Sequence, residues 1–186
     1  MEILYSVLLG IGLSAAAGFR VFVPLLIVSL ASRLGYLEVT DGFSWLASTP
    51  ALIVFAVATA VEILAYYVPW VDNALDAIAT PSATVAGVVL TAAVLTDVDP
   101  AARWTLAILA GGGSATVFQG LTTGARQLSS LTTLGFGNPI LATGEAALST
   151  TLAVLAIAVP LAAFLLVALL LWLIARRFLR RRPQPA

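Results

Sequence analysis

Five apolar segments, roughly residues 3–33, 50–69, 82–97, 102–121 and 148–174, carry nearly the whole chain. Each is long enough to cross, or nearly cross, a hydrocarbon core of ~30 Å. Lipid offers the backbone no hydrogen bonds, so such segments must be helices, and a charge left inside one needs a partner, a cavity or a task. The expected fold is all-α: a polytopic transmembrane bundle of about five spans, in one integral membrane domain over residues 1–186. Two such charges stand out, Arg20 and Glu62.

Hydrophobic residues make up 61% of the chain, against roughly half in an average globular domain, which leaves no room for a separate soluble unit. Without a single Cys or His, thiol nucleophiles, imidazole bases and the commonest zinc and haem ligands are excluded, so neither a cofactor, a metal site nor an enzyme is expected. The charges balance at nine and nine, yet Arg176, Arg177, Arg180, Arg181 and Arg182 crowd the tail. Positive charge beside a span favours the cytoplasmic side, so residues 175–186 are read as a basic cytoplasmic tail. Counting back through five spans puts the N-terminus outside, Arg33 and Arg103 inside, and Arg126, Asp72 and Asp76 outside, in the cell's inner (plasma) membrane. The opening LLGIGLSAAAG lacks the positive n-region of a signal peptide and reads as the start of a first span. Membrane lipids are the expected partners of the basic tail, and nucleic acid is not.

Set against itself at an offset of 100 residues, the chain aligns Gly12, Ser14, Ala15, Ser29 and Leu34 with Gly112, Ser114, Ala115, Ser129 and Leu134. A repeat of residues 2–69 in 102–169, separated by three spans, would have inverted topology, an arrangement that builds many secondary transporters. Residues 2–35 and 102–135 would each make about 51 Å of helix, too long for the bilayer. These first helices should therefore tilt, or break or kink where GLSAAAGFR and GGGSATVFQG concentrate small residues, with Pro24 favouring a kink in the first copy. SATV at 82–85 and again at 114–117 suits close helix packing. The stretch 122–147, with Gly135, Gly137, Pro139 and Gly144, stays open between a loop and a re-entrant segment.

Depth arithmetic places Arg20 about 20 Å and Glu62 about 18 Å from the same membrane face, which predicts an ion pair between neighbouring helices. Asp72, Asp76 and Thr80 recur every four residues beside Asn73, an oxygen-rich face suited to attracting cations or merely a solvated turn. Ser14 and Ser114 would line a cavity from the two helix breaks. Two enzyme look-alikes fail: VDNALD has no second Asp-rich partner of the kind prenyltransferases need, and the serine of GGGSA has no evident base.

The stretches GLSAAAGFRVFVPLL, EILAYYVPWVDNALDAIATPSATVAG and GGGSATVFQGLTTGARQLSSLTTLGFGNP together resemble a bacterial family known as domain of unknown function 4126. That resemblance implies an integral membrane protein of about this size and carries no established activity or ligand. Two functions are therefore expected from the residues alone. One is a transporter or channel-like protein for a small ion or solute, with its site at Arg20, Glu62, Asp72, Asn73, Asp76, Ser14 and Ser114. The other is a non-catalytic accessory subunit of a larger membrane complex; a homo-oligomer suits the first.

Overall fold

The computed structural model describes residues 2–67, 71–134 and 136–180, and of these the side chains of all but 2, 71–76 and 178–180. Among the described residues there are eight α-helices and no strand: α1 (Glu2–Phe19), α2 (Phe22–Arg33), α3 (Thr49–Ala65), α4 (Val71–Val94), α5 (Pro100–Leu106), α6 (Gly113–Thr133), α7 (Asn138–Ala158) and α8 (Pro160–Arg180). A 3-10 turn at Asp41–Ala47 precedes α3, and a π-helical turn at Ala107–Gly112 joins α5 to α6. By length and composition three helices can cross a membrane, Ala77–Val94, Asn138–Ala158 and Pro160–Arg177. A fourth is added if Asp41–Ala47 and Thr49–Ala65, bent by 62°, count as one.

The helix ends follow from local chemistry. Ser48 accepts the Ala51 N–H to start α3, and Asp99 accepts those of Ala101 and Ala102 to start α5. Pro160 has no N–H to give, and its ring collides with the carbonyl four residues back, so the apolar run 148–174 is not one helix. It divides at Val159 between α7 and α8. Most of the open stretch 122–147 is helical too, in α6 and α7, and Leu134, just past the end of α6, has a left-handed φ of 54°. Its hydroxyls bond back along their own helix, as Thr132 does to the Leu128 carbonyl at 2.9 Å and Thr133 to that of Ser129 at 2.8 Å.

The largest departure from expectation is the first segment. Arg20 makes the last backbone bond of α1, to Ala16 at 3.1 Å, and Pro24 cannot supply the bond that would carry the helix past Arg20. There the chain reverses. Tyr36, Leu37 and Glu38 line one cavity together with Leu4, Tyr5 and Leu9, and Ala31 and Leu34 share another with Val154 and Ile157. Residues 3–33 thus form a helical hairpin whose two arms lie antiparallel, with Arg20 at its tip.

The corresponding segment stays on one path from residue 102 to 133 through the π-helical turn. Gly18 abuts Ala115 and Phe118, while Gly10 and Gly111 both abut Thr91, so α1 and α6 run side by side in the same direction. The first helices of the two sequence copies therefore do not point oppositely, because the reversal at Arg20 adds a passage of chain between them.

α1 is the centre of the bundle, in contact with α4, α6, α7 and α8. Leu13, Ala15, Ala16 and Ala17 are fully buried. Small residues set the spacing: a methyl carbon added at Gly18 would lie 2.5 Å from Phe118 Cβ and 2.6 Å from the Ala115 carbonyl. The two SATV copies meet across α4 and α6, where the hydroxyls of Thr84 and Thr116 lie 2.6 Å apart. Close packing is the use these repeated small residues have.

Candidate functional site

Reversal at Arg20 leaves the first N–H groups of α2 without helical partners, at the positive end of a helix dipole. Glu62, on the last turn of α3, fills that place. Its Oε1 accepts the Val21 N–H at 2.8 Å and its Oε2 that of Phe22 at 3.0 Å. The expected Arg20–Glu62 ion pair is therefore corrected: the carboxylate belongs to the backbone of the residues just after Arg20. Depth along the two helices is matched, but depth arithmetic takes no account of the orphan donors that a break creates.

Arg20 turns instead to α7. Its Nη2 donates to the Ala142 carbonyl at 3.0 Å and lies 3.1 Å from Glu145 Oε2. The same oxygen takes Nη1 of Arg126, from α6, at 2.5 Å. Tyr66, just past α3, stacks its ring on both guanidiniums, 3.9 Å from Arg20 Cζ and 4.4 Å from Arg126 Cζ. Both arginines are only 2% exposed. Nε and Nη1 of Arg20 have no hydrogen-bond partner among the described residues. Ser149 adds a bond from α7 to the last turn of α1, donating to the Ala16 carbonyl at 2.8 Å.

Three helices, α3, α6 and α7, thus converge on the hairpin tip. Arg126 stands seven residues from the end of α6 and Glu145 seven from the start of α7, about 10 Å inside each. A carboxylate shared by two guanidiniums satisfies the demand that buried charges be paired. The second carboxylate is held by a helix N-terminus, so each charge has a fixed place before any ligand arrives.

The other expected site residues do not join this cluster by any described bond. Ser14 donates to the Gly87 carbonyl at 2.9 Å and pairs with the Thr91 hydroxyl at 2.7 Å, clamping α1 to α4. Ser114 bonds the Ala110 carbonyl of its own helix at 2.6 Å. The side chains of Asp72, Asn73 and Asp76 lie outside the described residues, though their backbone begins α4. Among the described residues no group of three or more Asp, Glu, His or Cys is placed to hold a metal ion.

Sequence reasoning missed Arg126, Glu145 and Tyr66. A signal exists for Glu145, the sole acid in residues 101–186, facing the same question of partnership as Arg20. It is hidden because hydropathy starts the last span at 148 rather than at 138.

The sequence model of the family described as Domain of unknown function (DUF4126) matches residues 7–180. No protein of curated function and no solved structure matches the chain.

Proposed function

The chain belongs to the DUF4126 family, and from that premise we propose that it is a small transporter or channel-like protein for an ion or solute. The observation that carries this reading is the charged cluster at the tip of a helical hairpin. Intramembrane ionisable groups are costly and mark solute paths, and interrupted helices present their termini to what is carried. Here α2 opens at Glu62 while Arg20 closes α1, so a modest shift of the tip changes the partners of both charges.

In the topology we propose, α1 and α2 enter and leave the bilayer on one side, and α3, α4, α5–α6, α7 and α8 make five spans. The N-terminus is then outside and the arginine tail inside, in a bacterial inner membrane, as the positive charge of the tail favours. Arg33 and Arg103 then fall outside, among Glu38, Asp41, Asp97 and Asp99. An inverted repeat is no part of this topology, given the parallel course of α1 and α6.

Proteoliposome flux of protons, sodium and potassium tests the reading on wild type and Glu62→Gln. Wild type should carry at least one of them and the variant should lose most of that flux; equal flux in both would sink the idea.

The accessory-subunit reading draws on the outer face of α6, where Gly113, Gly120 and Gly124 meet no heavy atom within 4 Å of an added Cβ. Gly120 and Gly124 have the spacing of small residues that let helices dock in lipid. Co-purification in fixed ratio with a larger complex, and no flux alone, supports it; a homo-oligomer seated on the same face fits the transporter.

A further inference from the structure

Beside the cluster, a groove of about 500 Å³ opens on the outer surface between α3 and α4. These consecutive helices do not pack along their lengths. Its walls are apolar, with Phe22, Val57, Val61 and Ile78 prominent, and Tyr66 and Glu62 stand at its inner end. Glu62 is the one charged residue among the described lining residues. A second groove of about 430 Å³ continues it past Phe22 toward Trp45 and Val89, so the trough runs on along α4. That volume falls in the ~300–1,000 Å³ range of small-molecule sites.

We propose that this groove takes a lipophilic cation, an organic ammonium or phosphonium with an apolar body, entering sideways from the lipid and placing its charge against Glu62. The proposal rests on the transport reading above and names its substrate class. Three features favour it. An acyl chain lying in the groove would meet the Glu62 carboxylate, which caps α2 yet has no counter-charge among the described lining residues. Each Glu62 oxygen accepts one backbone bond, from Val21 or Phe22, and an ionised carboxylate offers about four acceptor sites, so it has capacity left. The arginines do not line the groove, and Arg20 and Arg126 are already engaged with Glu145. Among the described lining residues Glu62 is therefore the one charge that meets the trough directly, while the two guanidiniums stack on the ring of Tyr66.

The test compares two probes of the same shape and opposite charge, tetraphenylphosphonium and tetraphenylborate. Their equilibrium binding is measured on the full chain in nanodiscs of zwitterionic lipid. Saturable binding of the phosphonium alone is expected, weakened by about tenfold or more in Glu62→Gln, the scale of losing a charge-assisted contact. Because Glu62 also caps α2, that variant is paired with Val57→Trp. This change sits at an exposed wall, leaves the cap intact and fills the groove, and it should abolish phosphonium binding too. Equal binding of both probes, or preference for the borate, overturns the proposal, as does phosphonium binding that survives both substitutions. The flux assay reports separately: a chain that moves ions but ignores the phosphonium keeps its transport function and loses this substrate.

Discussion

The packed length of α1 from Gly12 to Gly18 and the hairpin tip at Arg20 are held by opposite means, and the contrast shows what each kind of contact achieves in lipid. Around Gly12, Ser14 and Gly18 the helix is fixed by closeness. Ala156, Ala115 and Phe118 approach so nearly that no side chain would fit, and the polar link there is a clamp of two hydroxyls on backbone carbonyls. At the tip, Arg20, Arg126, Glu145, Glu62 and Tyr66 are held by charge and ring stacking. Close packing gains from dispersion at every atom and offers no alternative arrangement. Paired charges are directional and few, so they hold one geometry while retaining the means to exchange partners.

The largest effect should come from the tip. Glu145→Ala strands two guanidiniums in the interior, and breaking a buried pair in this way costs about 3–5 kcal/mol. A denaturation series in mild detergent should show that loss; a change under ~1 kcal/mol would mean that water already reaches the arginines, and the contrast would fall. Next comes the packed length of α1. Gly18→Val drives carbon into Phe118 and the Ala115 carbonyl, and overpacking of this kind costs about 1–3 kcal/mol or more. A fully stable valine variant would show that α1 and α6 part more easily than their spacing says.

Smaller effects sharpen the same comparison. Thr84→Val removes the hydroxyl contact between the SATV copies while keeping their shape, so about 0.6 kcal/mol is expected, the average for interhelical hydrogen bonds in a membrane. Losses well above that would make the polar link, rather than the small residues, what joins α4 to α6. Gly120→Ala should reverse the sign. Nothing stands within 4 Å of its added carbon, and the gain in helix preference is worth about 0.5–1 kcal/mol. Destabilisation there would reveal a partner on the open face of α6.

Much of this contrast is legible in the residues. Gly- and Ser-rich copies read correctly as packing surfaces, Arg20 reads correctly as a charge in need of company, and Pro24 marks the segment that fails to stay straight. What escapes reading has physical causes. Hydropathy cannot tell a long helix from a hairpin, because both are continuous apolar runs; the reversal depends on a cap that arrives from Glu62, some forty residues away. It also discounts serines and threonines that bond to their own helix, which is why the polar stretch 122–147 hides two helices and Glu145 with them. The choice of Glu145 over Glu62 for Arg20 lies beyond sequence separation alone, since it depends on which carboxylate the broken backbone claims first.

The π-helical turn at Ala107–Gly112 works as a slip coupling in an otherwise rigid shaft. A turn wound in this wider way carries one residue more than an α-helix of equal reach, which rotates α5 by about 100° relative to α6. α6 can thus set its angle by its grip on α1 and Glu145, while α5 keeps an angle of its own. Chain length gained or lost at this turn would be absorbed as rotation of α5, leaving the bearing of Arg126 undisturbed.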